Sequence, residues 1–216
     1  MKKCKVLLAD DHAIIRGGVK QILADTEDLV VAGEAVDGVE VMQQVRAKDW
    51  DVLVLDISMP GRNGLELIRM IKDEKPRLPI LVLSMHHEEQ YAVRALQAGA
   101  SGYLTKETDG DLLIAAIRRV AGGGVHISDK VAELMVHGIR PANEVLPHSL
   151  LSDREYQVFN MLVTGQGLTN IAEELCLSVK TVSTHKTRIL QKMNLTNFTE
   201  LIHYAISHQL AETAEF

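Results

Sequence analysis

Five residues suited to holding a cation and a phosphoryl group stand at the ends of short aliphatic runs. Asp10 and Asp11 follow Val6-Leu7-Leu8-Ala9, Asp56 follows Val52-Leu53-Val54-Leu55, Ser84 follows Ile80-Leu81-Val82-Leu83, and Lys106 follows Tyr103-Leu104-Thr105. Carboxylates packed together repel one another, and a divalent cation relieves that cost. An ammonium neutralises the oxygens of a phosphoryl group in transfer. A hydroxyl can donate to a phosphoryl oxygen once one is present. The set points to a phosphorylation switch more than to a conventional active site.

Elements must bring these residues together. Continuous aliphatic runs of this length read as buried strands of a parallel sheet, and ligands of such sheets bind beyond the carboxyl ends of the strands. Between the runs the apolar spacing becomes helical: Ala13 to Ala24, Gly38 to Lys48, Asn63 onward, Glu88 to Ala98 with Gly99 as its stop, and Asp111 to Val120. Leu29 to Ala35 reads as a further strand, and Ser58-Met59-Pro60-Gly61 as a turn. Strands alternating with helices predict a doubly wound α/β domain over residues 1–122. A linker with one short helix, about Asp129 to Val136, is expected over 123–148, and an all-α domain over 149–216. Ser152-Asp153-Arg154-Glu155 is a capping box that opens the first of four C-terminal helices.

Composition narrows the function classes. The chain has 216 residues and a formal net charge of −6, and it lacks an apolar run near the roughly 20 residues needed to cross a bilayer. The basic start is followed too soon by Asp10-Asp11 to read as a signal peptide. Cys4 and Cys176 are far apart and unpatterned, which argues against a disulfide framework or a zinc site. The acidic balance is not uniform: Lys180, Lys186, Arg188 and Lys192, with His185, fall in a stretch free of acids between Leu175 and Glu200, a candidate nucleic-acid footprint.

The order Asp10-Asp11, Asp56, Ser84, Lys106 resembles the receiver domain of bacterial two-component response regulators. The resemblance implies a five-stranded, flavodoxin-like parallel sheet of order 2-1-3-4-5. It implies that Asp56 accepts a phosphoryl group from a sensor histidine kinase, and that Asp10, Asp11 and Asp56, with the backbone carbonyl of Ser58, hold Mg2+. Lys106 and Ser84 would then assist and read the phosphoryl group, with Tyr103 as the aromatic whose rotation follows Ser84. The chain departs from many receivers in having Glu107, not proline, after Lys106. A phosphatase of the haloacid-dehalogenase type is the rival from another class, but it generally needs a second Asp where Ser58 stands. His12, His86 and His87 lack partnered ligand spacing and read as exposed polar residues.

The last 65 or so residues resemble the LuxR-type DNA-binding domain, carried by Ile171-Ala172-Glu173-Glu174-Leu175, Ser178 to His185, Lys192-Met193-Asn194-Leu195 and Thr199-Glu200-Leu201. Joined to a receiver, this is the layout of the NarL/FixJ family. On the recognition helix Val182, Ile189 and Met193 form the inner stripe. Lys180, Thr181, Ser183, Thr184, His185, Lys186, Thr187 and Arg188 are the candidate DNA contacts: Ser183, Thr184 and Thr187 for bases, and Lys180, Lys186 and Arg188 for phosphates. Gly167-Leu168-Thr169-Asn170 replaces the family's commoner Ser-Asn-Lys-Glu-like stretch. The resemblance further implies a cytoplasmic transcription regulator that is no enzyme beyond its own phosphoryl chemistry. It would dimerise on activation, bind promoter DNA, meet RNA polymerase and use no membrane. The alternative is a phosphorylation-independent DNA-binding regulator whose receiver is a dimerisation module.

Overall fold

A computed structural model describes residues 3–59, 63–85, 88–137, 146–208 and 210. The chain divides into two compact units, Met1–Gly138 and Ile139–Phe216.

In the first unit five parallel strands, β1 (Cys4–Ala9), β2 (Leu29–Ala35), β3 (Val52–Leu55), β4 (Ile80–Ser84) and β5 (Gly102–Thr105), lie in the order β2-β1-β3-β4-β5. That is the order the resemblance implies. Val6, Leu8, Val52, Val54, Leu81 and Leu83 meet Leu113, Ala116, Ile117 and Val120 in the core on one face. β3 is apolar along its whole length, and β1 is from Val6 onward, because helices cover both faces. Ala9↔Leu55 ends β1 and β3 level, Leu55↔Val82 carries β4 two residues further to Ser84, and Ser84↔Thr105 ends β4 and β5 level, so Asp10, Asp56, Ser84 and Lys106 share one rim. The helices are α1 (Ala13–Ala24), α2 (Gly38–Ala47), α3 (Gly64–Glu74), α4 (Glu88–Ala98), α5 (Gly110–Ala121) and α6 (Asp129–His137). Asn63 opens α3, its Oδ1 accepting from the amides of Leu65 and Glu66. Gly64 lies against Ile57, where a Cβ would stand 2.4 Å from Ile57 Cα. This seats α3 directly on the loop after Asp56.

The segment 123–137, where the linker is expected to begin, packs into the first unit. The His126 amide donates to the Ser101 carbonyl and its carbonyl accepts from the Tyr103 amide, forming a parallel bridge at Gly102 on the outer edge of β5. Helix α6 then packs on α4 with Val131 fully buried. The physical reason is that the free edge of β5 offers unpaired backbone groups, which this segment satisfies. Residues 138–145 of the expected linker lie outside the described residues, and 146–148 lead into the second unit.

The second unit is helical, as expected: a 3-10 turn (Pro147–Leu150), α7 (Asp153–Val163), α8 (Leu168–Glu174), α9 (Val179–Lys192) and α10 (Phe198–Ser207). The capping box forms, with Ser152 and Glu155 exchanging bonds. Helix α9 packs on both α7 and α8, burying Val182, Ile189 and Met193.

Candidate functional site

The rim at the carboxyl ends of β1, β3, β4 and β5 brings Asp10, Asp11, Asp56, Ser84 and Lys106 together. Lys106 Nζ lies 2.8 Å from Asp10 Oδ2 and 2.6 Å from Asp56 Oδ2. All three side chains are within 3 % of full burial. The other carboxylate oxygens face elsewhere: Asp56 Oδ1 accepts from the Ser58 amide at 2.8 Å, and Asp10 Oδ1 accepts from the His12 amide at 2.8 Å. Asp11 stays at the surface, with its side chain 31 % exposed. Ser84 is fully buried at the end of β4, and its carbonyl accepts from the Lys106 amide. Tyr103 is buried one strand away, paired in register with Val82.

The electrostatics follow from this crowding. Burial pushes the Asp56 carboxyl above its ordinary value. The Lys106 bond and charge and the Ser58 amide pull it back without cancelling the rise, and Asp10 adds repulsion. Burial alone would lower the Lys106 ammonium, but its bonds to Asp10 and Asp56 more than reverse that, so its pKa is raised. One ammonium thus faces more carboxylate than it neutralises. Asp10, Asp11 and Asp56 offer oxygens close enough together to hold a metal ion. A hard cation with oxygen ligands fits this donor set. Ser58 Oγ, shut off from solvent without a hydrogen-bond partner among the described residues, marks a polar group at the same place whose bonding is incomplete.

Two residues at this rim escape sequence reasoning. His12, read as merely exposed, belongs to the cluster: its Nδ1 is 2.9 Å from Asp11 Oδ1 and 3.3 Å from Asp10 Oδ1. Arg16 donates from Nη1 to the Asp10 carbonyl at 2.8 Å and from Nε to Glu34 Oε2 at 3.2 Å, tying the Asp10 turn to β2. The one signal for Arg16 was its spacing of one helical turn from His12. His86 and His87 lie outside the described residues.

On α9, Lys180, Ser183, Thr184, Thr187 and Arg188 are exposed and share a face. Thr184 and Thr187 donate their hydroxyl protons back to the carbonyls of Lys180 and Ser183, at 2.9 and 3.1 Å. Ser178 caps the helix through the Thr181 amide, and its Oγ lies 2.8 Å from Thr181 Oγ1, so Thr181 belongs to the cap. Lys186 places its ammonium over the Phe198 ring, 4.7 Å from the centroid. His185 departs from its expected place among the DNA contacts. It is half-buried, and its Nδ1 is closed off from solvent without a partner among the described residues. It lies one turn after Val182 and one before Ile189, on the side of the inner stripe. Burial, its largest influence, lowers its pKa below the ordinary imidazole value.

Comparison with known proteins covers both units. The family model described as the response regulator receiver domain matches residues 6–118, and that of the bacterial regulatory proteins of the luxR family matches 149–205. The oxygen regulatory protein NreC of Staphylococcus carnosus is 39 % identical over 215 residues, covering 96 % of this chain and 99 % of its own. The response regulator UvrY of Escherichia coli O157:H7 is 39 % identical over 211 residues, covering 96 % and 97 %. Among solved structures, RcsB from Salmonella enterica serovar Typhimurium, bound to promoter rprA in the presence of the phosphomimetic BeF3−, superposes with a TM-score of 0.65. It is 28 % identical and covers 95 % of this chain and all of its own.

Proposed function

Because the chain belongs to the response regulators that join a receiver domain to a LuxR-type DNA-binding domain, we propose that Asp56 is its phosphoacceptor and that phosphorylation switches dimerisation and promoter binding. Such a protein is a transcription factor and not an enzyme in the usual sense. The observation that carries the assignment to Asp56 is the placing of Lys106 Nζ at hydrogen-bond distance from both Asp10 and Asp56 at one buried rim. A sensor histidine kinase supplies the phosphoryl group: a carboxylate oxygen of Asp56 bonds to phosphorus as the donor's phosphorus–nitrogen bond breaks. Asp10, Asp11, Asp56 and the Ser58 carbonyl would hold Mg2+, which supplies positive charge toward the phosphoryl oxygens when bound.

The chain's own residues do the rest. Lys106, already turned toward Asp56, neutralises a phosphoryl oxygen as it arrives. Ser84 donates its hydroxyl to another, and Tyr103 on the neighbouring strand follows that movement. Only the phosphorylated state offers Ser84 this bond, so the group has the differential affinity that a population shift requires. In the second domain Ser183, Thr184 and Thr187 read bases, while Lys180 and Arg188 hold phosphates. Lys186 is the weakest of the phosphate ligands, since it must leave the Phe198 ring. We place the receiver proper at 1–122, the connection at 123–148 and the DNA-binding domain at 149–216, working in the cytoplasm as a homodimer on promoter DNA within reach of RNA polymerase. The promoter-bound, phosphomimetic state of RcsB supports this reading. Among the described residues no helix is long and apolar enough to cross a membrane.

The test is intact mass after incubation with a small acyl phosphate and Mg2+, wild type beside Asp56→Ala. Binding to DNA selected from a random pool is followed in parallel. A single phosphoryl adduct absent from the variant, with tighter DNA binding in the wild type only, is the expected result. Equal DNA affinity in both proteins would replace the switch with phosphorylation-independent binding.

A further inference from the structure

The geometry points to His12 as a nitrogen ligand of the receiver's cation site, giving that site a preference for late first-row divalent cations over Mg2+ beyond what its carboxylates confer. This rests on reading the acidic rim as a cation site. The backbone of His12 is anchored there by its amide, which donates to Asp10 Oδ1 at 2.8 Å. Its ring is turned toward the carboxylates: Nδ1 lies 2.9 Å from Asp11 Oδ1 and 3.3 Å from Asp10 Oδ1. The ligand atoms of Asp10, Asp11, His12 and Asp56 all fall within 4.8 Å of one another.

Lys106 fixes the side on which this matters. It occupies the Oδ2 atoms of Asp10 and Asp56, while Asp10 Oδ1 faces His12. The cation side of the cluster is therefore bounded by carboxylate oxygen and by one imidazole nitrogen. The ring has no capping duty that would hold it elsewhere, since His12 precedes α1 without a side-chain cap bond. Its side chain is 60 % exposed, so it can turn to meet an ion at little cost.

Donor chemistry then sets the preference. Carboxylate, carbonyl and water suit Mg2+ and Mn2+, whereas imidazole suits later first-row ions such as Co2+, Ni2+ and Zn2+. A site of oxygens alone already follows the general affinity order of divalent metals. The contribution of His12 is therefore the part of the preference that disappears with its ring.

The experiment titrates the full-length chain with MgCl2 and with CoCl2 by calorimetry. Only the Co2+ that Mg2+ displaces is counted, and its visible absorption is recorded. Wild type is compared with His12→Ala, His12→Gln and Asp11→Asn. His12→Ala is expected to weaken Co2+ by about tenfold or more while leaving Mg2+ within about twofold, and to change the Co2+ spectrum. His12→Gln, which keeps a donor toward Asp11 but offers no imidazole, should behave like His12→Ala. Equal weakening of both cations in His12→Ala, rescued by His12→Gln, would overturn the proposal by showing that His12 only positions Asp11. Unchanged Co2+ binding in both His12 variants would overturn it too. If Asp11→Asn also leaves binding of both cations intact, the cation site itself fails, and the proposal falls with it.

Discussion

Replacing Lys106 with methionine keeps the aliphatic stem and removes the charge that two buried carboxylates share. The Lys106, Asp10 and Asp56 side chains are 3, 2 and 0 % exposed. Water therefore replaces the lost ammonium poorly. Removing one partner of a buried ion pair costs about 3–5 kcal/mol. The exposed edge at Asp11 admits some compensation, so the lower end, about 3 kcal/mol, is the expectation. Trp50, the only tryptophan of the chain, lies just before β3 and reports unfolding of the first unit. At ordinary urea slopes the midpoint should fall by about 1–2 M in metal-free buffer. The pH dependence gives the sign. Asp56 is held above its ordinary value, so the folded state binds its proton more tightly than the unfolded state. Stability is present while the carboxyl is protonated and is lost as pH rises through the window above the unfolded value. Without Lys106 to pull it down, Asp56 rises further, and the deficit is largest near neutral pH and closes as the carboxylates protonate. A variant as stable as wild type at neutral pH, or a deficit that does not shrink on acidification, would refute the reasoning.

Four further outcomes follow from the two units. Gly64→Ala drives a Cβ to 2.4 Å from Ile57 Cα and 2.5 Å from its carbonyl oxygen, both backbone. The clash should cost about 1–3 kcal/mol and slow adduct formation at Asp56; an unchanged Trp50 midpoint would contradict it. In the second unit, burial raises the Glu155 carboxyl, but bonds from Lys192 and Ser152 more than offset that and hold it below the ordinary range. The stability that Glu155 adds is therefore present above the unfolded carboxylate value and lost as pH falls. Glu155→Ala should cost about 1 kcal/mol at neutral pH, read as lost hydrogen-exchange protection in α7, and equal protection at both pH extremes would count against it. On α9, Lys180→Ala and Arg188→Ala should weaken all DNA sequences alike and lower the salt slope by about one each. Thr184→Val should keep base preference and Thr184→Ser should lose it, because the hydroxyl proton is spent on Lys180; the reverse pattern would show that the hydroxyl does the reading.

How much was legible depended on whether a signal was local. The aliphatic runs of β1, β3 and β4 announce buried parallel strands, and the rim residues follow because each run ends on one of them. Strand order came from the resemblance, since no run states its neighbour. The packing of 123–137 is not legible, because Gly122-Gly123-Gly124 looks like the start of a linker, while the bond that holds the segment, His126 to β5, is a backbone pairing with no side-chain signature. His12 was dismissed because an isolated histidine carries no ligand spacing, and its convergence with Asp11 exists only once the turn into α1 is built. The half-burial of His185 is legible in its spacing from Val182 and Ile189, which puts it beside the inner stripe, although the charge of the surrounding stretch groups it with the DNA-facing set.

The edge pairing of segment 123–137 bears on how the proposed switch would travel. Tyr103 answers to Ser84 in the proposed mechanism, and the two strands that carry them are paired through Val82↔Tyr103 and Ser84↔Thr105. The Tyr103 amide also donates to the His126 carbonyl at 3.2 Å, and α6 lies on α4, the helix that follows Ser84 in the chain. Any movement that Ser84 imposes on β5 or α4 therefore meets residues 126–137 before it meets anything further along the chain. Either the bond at Tyr103 holds and the segment moves with β5, or it breaks and the segment leaves the edge. Both outcomes couple the rim to the connection through backbone pairing and buried Val131, without any side chain having to span the distance. In the proposed switch the transmitting residues would thus be ones that chemistry-bearing motifs do not mark.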